Sequence, residues 1–427
     1  MRSIRSVRAH LRIMDSGGGL VSPVQRSQGS SIALLERLVL ACFANPAGLT
    51  RPELEELTGL SRTVVAGVVA SLLERGELVQ AHQSPAPGAR GRPPARYQRA
   101  ALLPPVLLIR LRKDGSTSVS SVSGDGTSDA ADNCAGWPEA WPDWSRSVAD
   151  AAARLRARAR VPPRIAVLSA PFPVAEGQGA PRIYAVPPEV LKMTGKRIPP
   201  RPPWLSRDPR PALSDLLGCT ALMVNDANLA ALGEARFGAG RGRLAVVHLV
   251  VVNGVGAGFV FGGRLFTGAH GFSGELAHVQ ITPDGYPCVC GNRGCLVTES
   301  PLRPGQAGQQ VVPPPGQLAE LGTLVGHALA PLVTALDPDC VVVDARLGEA
   351  AELFIAGVTA EVAQRCPPPL AERLTVVPGE LDDAERFGAL AAADAYAATL
   401  ISESIPPALR PVPGEQAQAP HFGVTNA

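Results

Sequence analysis

Between residues 274 and 296 the chain reads GELAHVQITPDGYPCVCGNRGCL, which sets His278, Cys288, Cys290 and Cys295 at the spacing His-x9-Cys-x-Cys-x4-Cys. Four soft or borderline donors at this spacing form a closed tetrahedral zinc site; no position stays open for water, so the expected role is structural. Gly291 and Gly294 let the chain fold sharply around the ion, with Asn292 and Arg293 between them as a tight knuckle. Reduced cysteines of a core sit in apolar runs, whereas these occupy a Gly-rich polar loop. Eight cysteines in 427 residues are too few for a disulfide scaffold, and a reducing cytoplasm is expected.

A chain of this length with 45% hydrophobic residues has room for two or three domains, each with its own core. Its 44 glycines and 42 prolines are unevenly spread, which implies long loops rather than low complexity. Residues 1–99 hold 13 Arg, no Lys and 7 acidic residues, a net of +6 that leaves −4 for the remainder, so the basic end is the candidate nucleic-acid face. Arg2, Arg5, Arg8 and Arg12 open the chain without the continuous apolar stretch of a secretory signal, and residues 1–30 are expected to be a disordered basic tail. The most apolar stretch, 244–261, is interrupted by His248, Asn253, Gly254, Gly256 and Gly258; it predicts two buried strands, and no membrane span is expected.

Helical periodicity runs in three pieces, 32–44, 51–58 and 62–75, joined by tight turns. Thr50-Arg51-Pro52-Glu53 is a capping box with Pro in the first turn, Gly59 ends that helix, and Ser61 caps the next. A strand at 78–80 and a loop rich in Pro, Gly and Arg at 84–96, read as a wing, complete a unit spanning 31–99. From residue 106 the pattern changes to apolar strands (106–111, 165–168, 221–224, 244–252, 340–343) alternating with helical stretches, which predicts a mixed α/β domain over 101–405. Pro187 to Pro211 reads as an irregular surface excursion; Pro406 and Pro407 end the last helix and leave 406–427 as a tail.

The segment LTRPELEELTGLSRTVVAGVVASLLERGELVQ, followed by GARGRPPARY, resembles over about fifty residues the winged helix-turn-helix of ROK-family transcriptional regulators. The resemblance sets Ser61, Arg62 and Thr63 where a recognition helix enters the major groove, Arg62 foremost. Arg90 and Arg92 lie on extended basic backbone suited to a narrow minor groove. Gly67, inside the recognition helix, costs about 1 kcal/mol of helix propensity against Ala and removes a side chain from the base-contact map. The cysteine segment also resembles the family hallmark. VNDANLAALGEARFGAGRG resembles the ROK segment in which an Asp beside Asn binds a sugar hydroxyl and, in the kinases, removes its proton; these are Asn225 and Asp226. By residue type alone Asp226 is equally a general base or the cap of the following helix. Glu275 corresponds to the family's sugar-binding Glu, and His278 is implied to orient the sugar while bound to the metal. The turn Gly254-Val255-Gly256-Ala257-Gly258 suits phosphate approach or a plain strand connection.

Departures from the kinase pattern point one way. Arg110 and Arg112 stand where the first phosphate loop has a carboxylate and Gly, and Asp344-Ala345 replaces the adenosine-side glycine pair. Phe172 takes the Gly position of a Pro-Gly-Pro loop, and Val297 stands where the family has Glu. The resemblance therefore implies a two-lobed actin-like/ribonuclease-H-like α/β sensor fused to a winged helix-turn-helix. The expected protein is a cytoplasmic DNA-binding regulator, a repressor, that binds operator DNA as a homodimer or homotetramer, answers to a sugar or related effector and has lost kinase activity. The alternative is a bifunctional ROK sugar kinase using ATP.

Overall fold

The structure, a computed structural model, describes residues 35–36, 38–40, 42–43, 49–74, 78–80, 95–99, 103, 105–129, 132–134, 140–159, 161–175, 203–251, 254–301 and 314–404. It separates into two compact units, Met1–Ala100 together with Ala398–Ala427, and Ala101–Ala397.

In the first unit, strand β1 (Leu49–Thr50) leads directly into helix α1 (Arg51–Thr58). The Thr50 hydroxyl accepts from the Glu53 N–H, and the Glu53 carboxylate accepts from the Thr50 N–H at 2.6 Å, closing the capping box. Gly59 ends the helix in the left-handed conformation, φ 66°, its N–H returning to the Glu55 carbonyl. Helix α2 (Arg62–Glu74) then runs at 115° to α1. Val65, Val68, Val69 and Leu72 are buried against Leu54, Leu78, Tyr97, Val39, Leu40 and Phe43, the i, i+3, i+4, i+7 spacing that places one helix face on a core. Strands β2 (Leu78–Gln80) and β3 (Arg96–Arg99) complete an antiparallel sheet in the order β1-β3-β2. Arg96 bonds Glu53 at 2.8 Å and so fastens β3 to the cap.

The second unit is built on two sheets of matching design. In the first, β4 (Val106–Leu111), β5 (Thr117–Val122) and β6 (Asp132–Cys134) form an antiparallel meander. Helix α3 (Trp141–Arg158) follows, then β7 (Ile165–Ala170), helix α4 (Arg210–Leu217) and β8 (Thr220–Asn225), and the sheet extends in parallel in the order β6-β5-β4-β7-β8. Helix α5 (Asp226–Phe237) leads to the second sheet, where β9 (Ala245–Val250), β10 (Gly256–Phe261) and β11 (Arg264–Phe266) repeat the meander. After the short helix α6 (Leu296–Glu299) come α7 (Pro315–Leu336), β12 (Cys340–Val343), α8 (Ala351–Arg365), α9 (Pro368–Ala371), β13 (Thr375–Pro378) and α10 (Ala384–Ser404). The sheet order is β11-β10-β9-β12-β13, with β12 parallel to both neighbours. This is the two-lobed actin-like/ribonuclease-H-like α/β fold implied by the sequence resemblance.

Helix α5 starts at the edge of the first sheet and packs on the second because glycine lets it come close. A Cβ on Gly258 would stand 2.4 Å from the Ala231 Cβ. Helix α10 crosses α5 at Gly233 and Gly388; a Cβ on Gly388 would meet the Leu229 carbonyl. The beginnings of α5 and α10 are thereby brought to the end of β4.

One expectation needs correction. The Pro-rich stretch is not irregular to its end: Pro203–Ser206 forms a 3-10 turn, Leu205 is fully buried, and Trp204 packs on Trp144 and Trp141 at 4.5 and 5.2 Å. Pro211 fits the first turn of α4, where its missing N–H costs nothing. Residues 187–202 lie outside the described residues. Helix α7 is by length and composition long and apolar enough to cross a membrane. Its Leu318, Leu321, Val325, Leu329 and Val333 are buried in the domain core, and Gly322 and Gly326 admit α8 at close range.

The capping box yields a direct expectation. Thr50→Ala should cost about 1 kcal/mol of local stability, seen as faster amide hydrogen exchange across Arg51–Thr58 in the full chain. Hydrogen bonds from the backbone and side chain of Thr50, with the Arg96 charge, hold the Glu53 carboxyl below its ordinary range against partial burial. Its contribution is therefore full above the unfolded carboxyl pKa and fades as pH falls through the lowered folded value. Unchanged exchange in Thr50→Ala, or protection that is flat through the acid range, contradicts this account.

Candidate functional site

The donor atoms of His278, Cys288, Cys290 and Cys295 lie within 4.8 Å of one another. The His278 Nδ1 is 3.4 Å from the Cys288 Sγ, and the Cys290 and Cys295 sulfurs are 3.5 Å apart. A tetrahedron of ~2.3 Å metal–sulfur bonds has edges of about 3.8 Å, so the four donors fit a metal ion. The loop is shaped for it: Cys288 N–H donates to Asn292, Gly291 N–H to Cys288, and Gly294 N–H to Tyr286. Gly291 and Gly294 adopt φ of 89° and 63°, and a Cβ on Gly294 would collide with the Thr282 carbonyl. Burial raises the thiol pKa of Cys288 and Cys295, so a bound cation has to displace their protons.

His278 closes a 3-10 turn (Leu276–His278) that opens beside Glu275. Gly274 anchors the turn by accepting from the Ala257 N–H at 3.0 Å; its φ of 90° and the absence of a Cβ permit the approach. Metal cluster and cleft are thus one local structure. The cleft's other wall is the β8–α5 junction. Asn225 caps α5, its Oδ1 accepting from the Asn228 N–H at 3.0 Å and its Nδ2 donating to the Phe172 carbonyl at 3.2 Å. The helix cap is therefore Asn225 and not Asp226, and the amide read as a ligand contact is already committed to the helix and to the buried Phe172 loop. Asp226 is the first residue of α5, its Oδ1 accepting from the Ala227 N–H at 2.8 Å.

Asp226, Glu275 and His278 share the field of Lys113, an exposed cation on the turn after β4 whose Nζ lies 3.1 Å from where a Gly254 Cβ would sit. Burial pushes the Asp226 carboxyl up against the pull of Lys113, and Glu385 pushes it further. Burial takes the Glu275 carboxyl up to about 7, with Lys113 opposing and Asp226 assisting. Burial and then Lys113 keep His278 below its ordinary value, favouring the neutral imidazole that ligates metals. Two carboxyls and an ammonium around one space can bind a polyhydroxylated ligand. The Gly256–Gly258 backbone, read as a possible phosphate approach, lies in β10, and Gly258 serves close packing of α5.

Where a phosphate loop was sought, ion pairs stand. Arg110, 8% exposed, donates through Nη2 to both oxygens of Asp383 at 2.7 and 2.5 Å, and its Nε lies 3.2 Å from Glu385. Arg112 reaches the same Glu385 at 3.1 Å. On the opposite side, Asp344 caps a 3-10 turn (Ala345–Ala350) and is bound by the Arg346 guanidinium at 2.8 and 2.6 Å. Burial works against the Asp344 charge, but Arg346 outweighs it and holds the carboxyl below its ordinary range. Arg346 also feels Glu385 and Asp226, so the charges form one continuous network. Lys113, Arg346, Asp383 and Glu385 join the site without belonging to any motif the sequence carries. The only local hint was the acidic cluster at 382–385, and its partner strand is 273 residues away.

In the first unit Ser61, Arg62 and Thr63 are all exposed at the start of α2, while the same helix buries its opposite face. Arg90 and Arg92 lie outside the described residues.

Residues 192–299 match the ROK family. The chain is 24% identical over 200 residues to the xylose repressor of Bacillus spizizenii, covering 43% of this chain and 52% of that one. It is 38% identical over 126 residues to the glucokinase of Thermotoga maritima, covering 29% of this chain and 40% of the kinase. It thus spans about half or less of these relatives' lengths. A solved ROK family transcriptional regulator, a homologue of the E. coli MLC protein, aligns at a TM-score of 0.64 with 19% identity over 88% of this chain and 99% of that one, a likeness of fold.

The network predicts unequal costs. Arg110→Ala removes the guanidinium that binds Asp383 and leaves Glu385, 12% exposed, with Arg112 alone, and should destabilise the domain by about 3 kcal/mol. Arg112→Ala, at a 43% exposed side chain, should cost less than about 1 kcal/mol. Urea unfolding of the two variants checks this; equal small effects contradict the buried network.

Proposed function

We propose that this chain, which carries a ROK family domain, is a DNA-binding transcriptional repressor whose sensor domain binds a sugar or sugar derivative and no longer transfers phosphate. The observation that carries the reading is the junction of α1 and α2: two helices at 115°, the first capped at both ends, with Ser61, Arg62 and Thr63 exposed at the start of the second. That is the geometry by which a helix-turn-helix offers its recognition helix to the major groove. The basic character of residues 1–99 supplies the attraction for phosphates, and the likeness to a xylose repressor supports the same direction. Arg90 and Arg92 act as the wing's minor-groove contacts.

In the sensor domain Asp226 and Glu275 hold ligand hydroxyls, with His278 and Asn225 fixing their surroundings. His278, Cys288, Cys290 and Cys295 hold a structural zinc, which supplies folding energy to the loop that carries Glu275. The ligand acts by binding the DNA-competent and DNA-incompetent arrangements with different affinity, and needs no chemistry to do so. The protein works in the cytoplasm as a homodimer or homotetramer, because paired half-site contacts reinforce one another only when held at fixed spacing.

A second reading, a bifunctional sugar kinase using ATP, is favoured by Asp226 standing at the start of α5 and by the likeness to a glucokinase. Against it, Arg110 and Asp344 are bound into ion pairs at the positions where a nucleotide and its metal require carboxylate and glycine.

Genome-wide mapping of bound DNA, followed by titration of a recovered site at fixed salt, tests the regulator. Arg62→Ala should lose about 1–3 kcal/mol of affinity and relax sequence preference; Arg92→Ala should weaken binding without relaxing it. Unchanged affinity in both contradicts the docking. For the metal, elemental analysis should find roughly one zinc per chain, lost in Cys290→Ser together with effector response. Zinc-free wild type, or a Cys290→Ser variant with normal zinc and thermal stability, contradicts the structural role.

A further inference from the structure

Outside the cleft and the cysteine cluster, the second lobe contains a cavity of about 310 Å³ whose lining includes Val279, Gln280, His327, Pro331, Thr334 and Arg365. One carboxylate organises its wall. Glu361, 8% exposed, faces the His327 Nδ1 at 3.4 Å and accepts from the Nε of Arg365 one helical turn further on. It is pressed into place by the α7–α8 crossing, where a Cβ on Gly326 would stand 2.8 Å from its own Cβ. Among the described residues, the His327 Nε2 and the terminal nitrogens of Arg365 have no further partner, and both side chains line the cavity.

Acceptors stand on the same wall. Pro331 has no N–H to return to the His327 carbonyl. Gln280 uses its Nε2 on the Pro283 and Arg293 carbonyls, which fixes its amide and leaves the oxygen end. A guanidinium fork and an imidazole edge oriented by a shared carboxylate recognise an anion, and the carbonyl oxygens accept from hydroxyls. The volume lies at the small end of ligand cavities.

We propose that this cavity is a second ligand site, distinct from the sugar cleft, that binds a small hydroxylated anion through Arg365 and His327. Val279 and Gln280 directly follow His278, and Gln280 pairs with Cys295 across a β-bridge. Occupancy of the cavity therefore stiffens the cysteine loop.

The test is isothermal titration of the full chain with glycerol 3-phosphate, D-glycerate and neutral glycerol. At least one anion should bind and glycerol should not. His327→Gln combined with Arg365→Gln should weaken the anion at least about tenfold, and Arg365→Lys, which keeps charge without the fork, should fall between. Hydrogen exchange with the bound anion should protect residues 327–334 and 361–365 and leave 226–237 unchanged. Binding of phosphate but not carboxylate, or the reverse, identifies the anionic group. No binding of either anion, equal binding by the folded double variant, glycerol binding as tightly, or protection confined to 226–237 overturns the proposal.

Discussion

The guanidinium of Arg110, at the buried end of β4 and bonded to Asp383 and Glu385 at the start of α10, ties the opening strand of the domain to its closing helix. Arg112, on the same strand end, adds a second guanidinium to Glu385. A lone Arg in the core of a sheet is unfavourable, and two carboxylates one residue apart repel each other; each is stable because of the other. The bond works only because α10 can reach β4, and α10 reaches it by crossing α5 through Gly233 and Gly388. Close helix crossing, buried ion pair and the placing of Asp226 at the cleft are consequences of one packing arrangement.

This arrangement changes what the cleft can do. Where phosphate transfer needs an anchored metal and an open backbone approach, the chain supplies guanidinium groups with internal partners. The other side keeps its carboxyls: Asp226 and Glu275 feel the same ammonium, and Glu275 directly precedes the 3-10 turn that ends at the metal-ligand candidate His278. A site with two carboxyls on one side and ion pairs on the other supports the proposed sensing role better than phosphate transfer.

Features written over short distances were legible in the sequence. The capping box at Thr50 and Glu53, the αL glycine at 59 and the strands at 106–111 and 340–343 stand where the residue patterns set them, because caps and apolar periodicity are local causes. The cysteine loop was legible for the same reason: its donors lie within eighteen residues and its glycines mark the turns. Other features depend on distant partners. Nothing near Arg110 announces Asp383, and the choice between Asn225 and Asp226 as helix cap turns on which side chain points back to the Asn228 N–H. Pro203–Ser206 looked irregular because prolines usually mark loops, whereas the aromatic contacts of Trp204 draw that turn into the core.

The central claim is that the ion pairs have taken the place of nucleotide chemistry, and the most direct measurement combines calorimetric titration of Mg-ATP with an assay of hexose-dependent ADP formation on the full-length chain. The account predicts no saturable ATP binding and no ADP above the background of an Asp226→Ala variant. ATP binding accompanied by hexose-dependent ADP formation that vanishes in Asp226→Ala would contradict it and identify the chain as a working kinase.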